Sequence, residues 1–140
     1  MTKYCDQPYS STFDNKTVLD FEDDAARQNW GGSWRMPTIE EFHELYKKCI
    51  WEWTTLNNVN GYKLTGSNGN WIFLPAAGAR FNEIITNYST SGYYWSSFRS
   101  KSSQSNVQEY ARMLSFYSGN FDDAEGRLRH YGQSVRPVTE

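Results

Sequence analysis

A change of rhythm after the first third of the chain limits what it can become. In "PTIEEFHELYKKC" (Pro37–Cys49), Phe42, Leu45, Tyr46 and Cys49 recur at i, i+3, i+4 and i+7, the apolar stripe of an amphipathic helix. Thr38 followed by Glu41 predicts a capping box, and Lys47 and Lys48 occupy the last turn, where the helix dipole favours cations. From Trp51 the period falls to two. "IWEWTT" alternates, and "GYKLTGSNGNWIFLPAAG" reads as two strands, Tyr62–Thr65 and Trp71–Leu74, around Asn68-Gly69, with Pro75 ending the second. Upstream, "LDFEDDAARQNWGG" (Leu19–Gly32) predicts a short helix with Asp20 as N-cap and Gly-Gly as its stop. Downstream, "GYYWSS", "EYARMLSFYSG" and "GQSVRPV" add three short strands. Helices first and strands after predict an α+β domain, its helices grouped on an antiparallel sheet.

The chain has 140 residues, enough for a single domain over 1–140. Only 38% of residues are hydrophobic while 17% are aromatic, so the core must rely on rings, which bury much area each. At least four of the six Trp residues are therefore assigned to packing. Net charge is −2, which gives nucleic-acid binding no electrostatic support. Residues 61–140 carry eight basic side chains, six of them Arg, the cation suited to stacking and bidentate recognition. No apolar run approaches membrane-spanning length, so direct membrane insertion is not expected. No export signal is visible at the start of the chain.

Individual polar residues have bland readings beside chemical ones. Asp23 and Asp24 suit a helix N-terminus better than a metal or acid–base pair. His43 lies off the apolar stripe, has no partner at ligand spacing, and reads as solvated. Cys5 and Cys49 form no dense framework; pairing and two free thiols both remain open. Arg35 and Arg136 are expected to fix the frame through buried hydrogen bonds.

The segment 98–131 differs from what precedes it. Ala111, Leu114 and Phe116 are apolar anchors, and Leu114 and Phe116 share a strand face, so Met113, Ser115 and Tyr117 are expected to point the other way. The rest is Tyr, Ser, Asn, Arg, His and Phe, the composition of an antibody-like contact surface. A solvated loop without a ligand has the same composition.

"WGGSWRMPTIEEFHEL" (Trp30–Leu45), "NGYKLTGSNGNWIFLPAAG" (Asn60–Gly78), "GYYWSS" and "GQSVRPV" together resemble the Fibrobacter succinogenes major paralogous domain, common in gut Bacteroidetes. The resemblance runs from about Tyr4 to Glu140. It implies a C-type-lectin-like fold: two helices packed on a twisted antiparallel sheet with long polar loops. Members often carry a further N-terminal strand, so the resemblance implies that this chain is either a short variant or one that lacks an edge strand beside "SVRPV". A subset of these domains is similar to the variable proteins of diversity-generating retroelements, in which adenine positions near the 3′ end of the gene are rewritten. The resemblance then implies that Trp95, Ser96, Ser97, Ala111, Leu114, Phe116, Gly132 and Ser134–Val138 are framework. It implies ligand contacts at Phe98, Arg99, Tyr110, Arg112, Ser115, Tyr117, Asn120, His130 and Tyr131. Arg129 fits either set. Lys101, Gln104, Gln108 and Glu109 do not arise easily from an Asn codon by adenine change.

The expected function is a ligand-binding display domain at the cell surface or outside the cell. It would recognise a protein or glycan on another cell or phage, as a monomer. An alternative is a fixed structural or adhesin module. The fold implied is also that of formylglycine-generating oxidases, whose chemistry uses a late pair of copper-binding cysteines. This chain has no cysteine after Cys49, and no Ser/His/Asp or paired-Glu arrangement, so no enzyme activity, cofactor or metal is expected. The triplets of calcium-dependent sugar-binding lectins are missing, and Asp122, Asp123 and Glu125 read as a solvated turn.

Overall fold

The computed structural model describes residues 16–100, 110–122 and 126–139. Among them are two helices and eleven short strands, and every strand ladder is antiparallel. The chain is an α+β protein, as its change of period predicts. No described helix is long and apolar enough to cross a membrane.

Helix α1 (Ala25–Trp30) is shorter than predicted, and its N-cap is Asp24 rather than Asp20. The Asp20 carbonyl instead closes a turn by accepting from the Asp23 and Asp24 N–H groups. Asp24 wins the cap because its carboxylate satisfies three backbone donors. Oδ1 accepts from Ala26 and Arg27 (2.9 and 3.0 Å), and Oδ2 accepts from the Met36 N–H (2.8 Å). This buried acid thereby ties α1 to the chain that follows strand β1 (Trp34–Arg35). Gly31, at φ 69°, closes the helix.

Helix α2 (Ile39–Lys48) has the predicted capping box: the Glu41 N–H donates to Thr38 Oγ1 (3.2 Å) and the Thr38 N–H to Glu41 Oε2 (2.8 Å). Arg35 grips the same carboxylate with two nitrogens, Nη1 to Oε2 at 2.9 Å and Nη2 to Oε1 at 2.8 Å. That pairing holds the Glu41 carboxyl below its ordinary value. Arg35 thus fixes the frame from a half-buried position. Arg136 does not: it is exposed, with no hydrogen bond or ion pair among the described residues. His43 is half-buried and engaged rather than solvated.

Strands β2 (Ile50–Leu56), β3 (Val59–Thr65) and β4 (Trp71–Pro75) form one sheet in that order. The two-residue turn of this sheet is Asn57-Asn58, with φ of 50° and 62° and Leu56 paired to Val59. Both residues occupy the left-handed region that a type I′ turn requires. The predicted hairpin around Asn68-Gly69 is also formed: β3 pairs with β4 from Thr65–Trp71 onward, and Asn68-Gly69 lie in the five-residue loop 66–70, held by Gly66 N–H to Asn70 O (2.8 Å).

Strands β5 (Ala79–Phe81) and β6 (Ile84–Thr86) make a separate hairpin. Strand β7 (Ser91–Arg99) pairs with β8 (Tyr110–Tyr117), whose other edge takes β9 (Asn120–Asp122) and β10 (Gly126–Leu128) in succession. The last strand, β11 (Val138–Thr139), pairs with β1. Of "GQSVRPV" only Val138, with the following Thr139, forms a strand. Ser134 meets β7 through a single bridge, its N–H donating to Tyr93 O and its carbonyl accepting from the Trp95 N–H (both 3.0 Å).

The core lies between α2 and the two larger sheets: Ile39, Phe42, Tyr62, Leu64, Leu74, Ala76, Tyr94, Leu114 and Phe116. Phe116 is its centre, edge-on to Trp51, Trp53 and Tyr62 and stacked on Tyr94. Gly92 lies directly beneath it; a Cβ there would stand 2.1 Å from Phe116 Cζ. Core packing uses fewer Trp residues than expected. Trp51, Trp53 and Trp95 are half-buried, while Trp30, Trp34 and Trp71 are exposed. Phe42, Tyr62, Tyr94 and Phe116 share the core with the aliphatic Ile39, Leu64, Leu74, Ala76 and Leu114.

Candidate functional site

Strand β7 ends in a bulge. Trp95 pairs with Met113, Arg99 pairs with Ala111, and Ser96, Ser97 and Phe98 stand opposite Arg112 alone. Ser96 fills this irregularity, donating its hydroxyl to Arg112 O (2.9 Å) and accepting from the Phe98 N–H (3.2 Å). Ser97 bonds by its backbone to Pro37 on one side and Leu19 on the other. Both serines are buried, so only small side chains fit here. The Ser-Ser motif is thus where the sheet, the start of α2 and the first described residues meet.

Strand β8 is covered on both faces. Leu114 and Phe116 face the core as expected, but Met113 and Ser115 are also buried, at 1% and 9% exposure. Of the residues expected to point away from the core, only Tyr117 is exposed. Side chains from other strands stand on this second face. Arg127 on β10 pairs with Ala111 and so rises on the Met113 side. Its guanidinium lies 4.6 Å from the Tyr93 ring centre and 5.2 Å from that of Tyr131. Tyr131 stacks on His130 at 5.1 Å and meets Phe81 at 5.0 Å; Phe81 and His130 are 5.5 Å apart.

Five side chains therefore form one platform: Phe81, Tyr93, Arg127, His130 and Tyr131. Backbone bonds fix it. The Arg80 N–H donates to Gly132 O (2.7 Å) and the Gly132 N–H to Arg80 O (2.8 Å), which binds the β5–β6 hairpin to the loop carrying His130 and Tyr131. A Cβ at Gly132 would stand 3.1 Å from Arg80 Cβ, so glycine permits this approach. Asn87 Nδ2 donates to Tyr93 Oη (2.9 Å), which orients that ring. Across the hairpin Ile84 pairs with Phe81 and stands 64% exposed; Ile85 and Tyr88 are similarly open. An aromatic and cationic platform thus continues into an aliphatic edge.

The nine residues expected to contact ligand fall into separate groups. His130 and Tyr131 lie on the platform. Tyr117 and Asn120 form a second pair at the exposed β8–β9 turn, where Asn120 Nδ2 donates to Tyr117 Oη (3.0 Å). Arg99 and Ser115 are buried, and Phe98 packs against the core. Tyr110 and Arg112 are half-buried on the core-facing side of β8. Arg129 lines a small pocket of about 30 Å³ with Thr17, Ser97 and Arg99, inside the frame rather than on the platform. Lys101, Gln104, Gln108, Glu109, Asp123, Glu125 and Cys5 lie outside the described residues.

Sequence reasoning missed Phe81, Tyr93 and Arg127. The period-two pattern of "GYYWSS" does place Tyr93 opposite Tyr94, so its outward direction was available. Arg127 and Phe81 carried no such signal, since their meeting depends on the β8–β10 register and on the hairpin docking at Gly132. Asp20, Glu22 and Asp23 bring carboxylates within 4.8 Å of one another before α1, each already engaged in other contacts. No family model, curated protein or solved structure matches the chain.

Proposed function

We propose that this chain is a binding domain of C-type-lectin-like fold, related to the Fibrobacter succinogenes major paralogous domain, that presents the Phe81–Tyr93–Arg127–His130–Tyr131 platform to a macromolecular ligand outside the cell. The observation that carries this reading is the Arg127 guanidinium set against the Tyr93 and Tyr131 rings, beside exposed Phe81 and His130. A guanidinium set against two rings loses little freedom when a ligand docks, and Tyr, His and Arg supply stiff contact area with polar edges. The aliphatic edge at Ile84 and Ile85 favours a protein ligand over a glycan, because sugar recognition gains little from aliphatic surface beyond the rings. No catalytic role is assigned.

The resemblance to retroelement variable proteins adds that the segment 98–131 is rewritten in the host. Deep sequencing of the 3′ end of the gene in a growing population tests this. Variation at adenine positions between Ser97 and Gly132, with a near-copy of the segment and a reverse transcriptase gene nearby, is the expected result. An invariant segment without a template copy would leave a fixed module. The exposed tail positions, on the platform and at the β8–β9 turn, are tested separately. Substitution of His130, Tyr117 or Asn120 by Ala should change stability by no more than about 0.5 kcal/mol, as for surface positions. Comparable losses at these sites and at buried Ser96 would refute a display surface carried on an independent frame.

A further inference from the structure

A concave site lies away from the platform and shares no residue with it. It is a cleft of about 470 Å³ between α2, the 66–70 loop and the C-terminal segment. Its floor is apolar: Phe42 and Leu45 from α2, Ile72 from β4, and Pro137 and Val138 from the chain end. A volume of this order suits a small molecule, and an apolar floor with a few polar groups at the rim is the usual make-up of such sites.

The charges at the rim decide what kind of molecule fits. Glu41 is neutralised by the two-pronged grip of Arg35, and Lys48 is paired with Glu44 one turn earlier. Arg136 is the charge left over, exposed and without an ion pair or hydrogen bond among the described residues. Across the cleft Asn68 adds a donor. Its Oδ1 is occupied by the Asn70 N–H at 3.0 Å, which leaves its NH2 for a ligand acceptor. The site therefore combines an apolar floor with one uncompensated cation and one amide donor.

We propose that this cleft binds a small amphipathic monocarboxylate, its carboxylate at Arg136 and its apolar tail over Phe42, Leu45 and Ile72. Burial of the tail supplies affinity, and the guanidinium supplies selection for the anion. The inference stands apart from the platform's role, since neither site needs the other.

The test is a methyl NMR titration of the whole chain with decanoate, below its micelle concentration. Decanol and decyltrimethylammonium serve as neutral and cationic isosteres. Decanoate should shift the methyls of Leu45, Ile72 and Val138 and leave Ile84 and Ile85 unmoved. Arg136→Gln should weaken decanoate about tenfold, the scale of one charge-assisted contact, and leave decanol unchanged. Arg136→Lys should retain most of the affinity. Three results would each overturn the assignment. Decanoate could bind the Arg136→Gln protein as well as the parent. The cationic isostere could bind more tightly than decanoate. The shifts could fall at Ile84 and Ile85, placing the ligand on the platform edge. An unchanged melting temperature for Arg136→Gln guards against reading misfolding as lost affinity.

Discussion

Two residues show how little sequence distance says about structural reach. Arg35 joins the strand before α2 to the capping acid of that helix. Replacing Arg35 with Ala removes two charge-assisted hydrogen bonds and leaves a half-buried carboxylate without its partner. A loss of about 1–3 kcal/mol follows, seen as a lower melting temperature with any ligand binding intact below it. The pairing also has a pH signature. Because the Glu41 carboxyl is held below its ordinary value by Arg35, its contribution is complete above the unfolded carboxylate range. It is lost as pH falls through the lower folded value. Between about pH 6 and about pH 3 the parent protein should lose more stability than Arg35→Met; equal slopes would show that the pair does not couple to folding. Gly92 is the second residue. A methyl group there would enter the Phe116 ring, itself fixed among Trp51, Trp53, Tyr62 and Tyr94. Gly92→Ala should cost about 1–3 kcal/mol in chemical denaturation, although alanine is the better strand residue.

At the level of elements, helix α2 and the β2–β3–β4 sheet follow from local pattern, while their exact turns do not. Phe42 and Leu45 on one stripe, with Thr38 and Glu41 at the right offset, were enough to place α2. The sheet was legible from alternation in "IWEWTT" and "GYKLT". Its type I′ turn was not, because Asn-Asn is a weaker signal than Asn-Gly and the latter lay a few residues on. Substituting both Asn57 and Asn58 by Ala forces alanines into the left-handed region at about 1–2 kcal/mol per residue. The hairpin should lose stability by a similar order in denaturant melts, whereas Asn58→Gly should be neutral or stabilising. A tolerated double alanine variant would mean that the sheet dictates the turn rather than the reverse. The first helix was mislocated for a related reason. Asp20, Asp23 and Asp24 are equivalent as sequence-level caps, and only the distant Met36 N–H selects Asp24.

For the whole molecule, the platform and the cleft have one feature in common: each is assembled from segments far apart in the chain. Phe81 and Tyr131 are brought together by two backbone bonds between Arg80 and Gly132. Phe42 and Val138 line one cleft because the chain end returns along β1. The exposed Ile84, Ile85 and Tyr88 beside the platform also permit self-association. A display domain should stay monomeric across a concentration series by light scattering, and Ile84→Lys should then leave its size unchanged. Concentration-dependent growth abolished by Ile84→Lys would instead assign this edge to contact between copies of the chain.

Local physics set the α+β class, the α2 helix with its cap, the strand candidates and the polar–aromatic character of the tail. Each of those depends on neighbours within a few residues, so the sequence alone determined them. Tertiary structure decided which tail residues face outward. Ser115 and Arg99 look exposed by composition, but β8 is covered on both faces and the β7 bulge turns Arg99 inward. Alternation along a strand gives two faces and cannot say whether a second layer covers one of them. On that face Arg127 arrives from β10 beside Tyr93, and Thr17, Val18 and Arg129 gather around Ala111 and Arg99; their positions depend on long-range register, which no local pattern encodes.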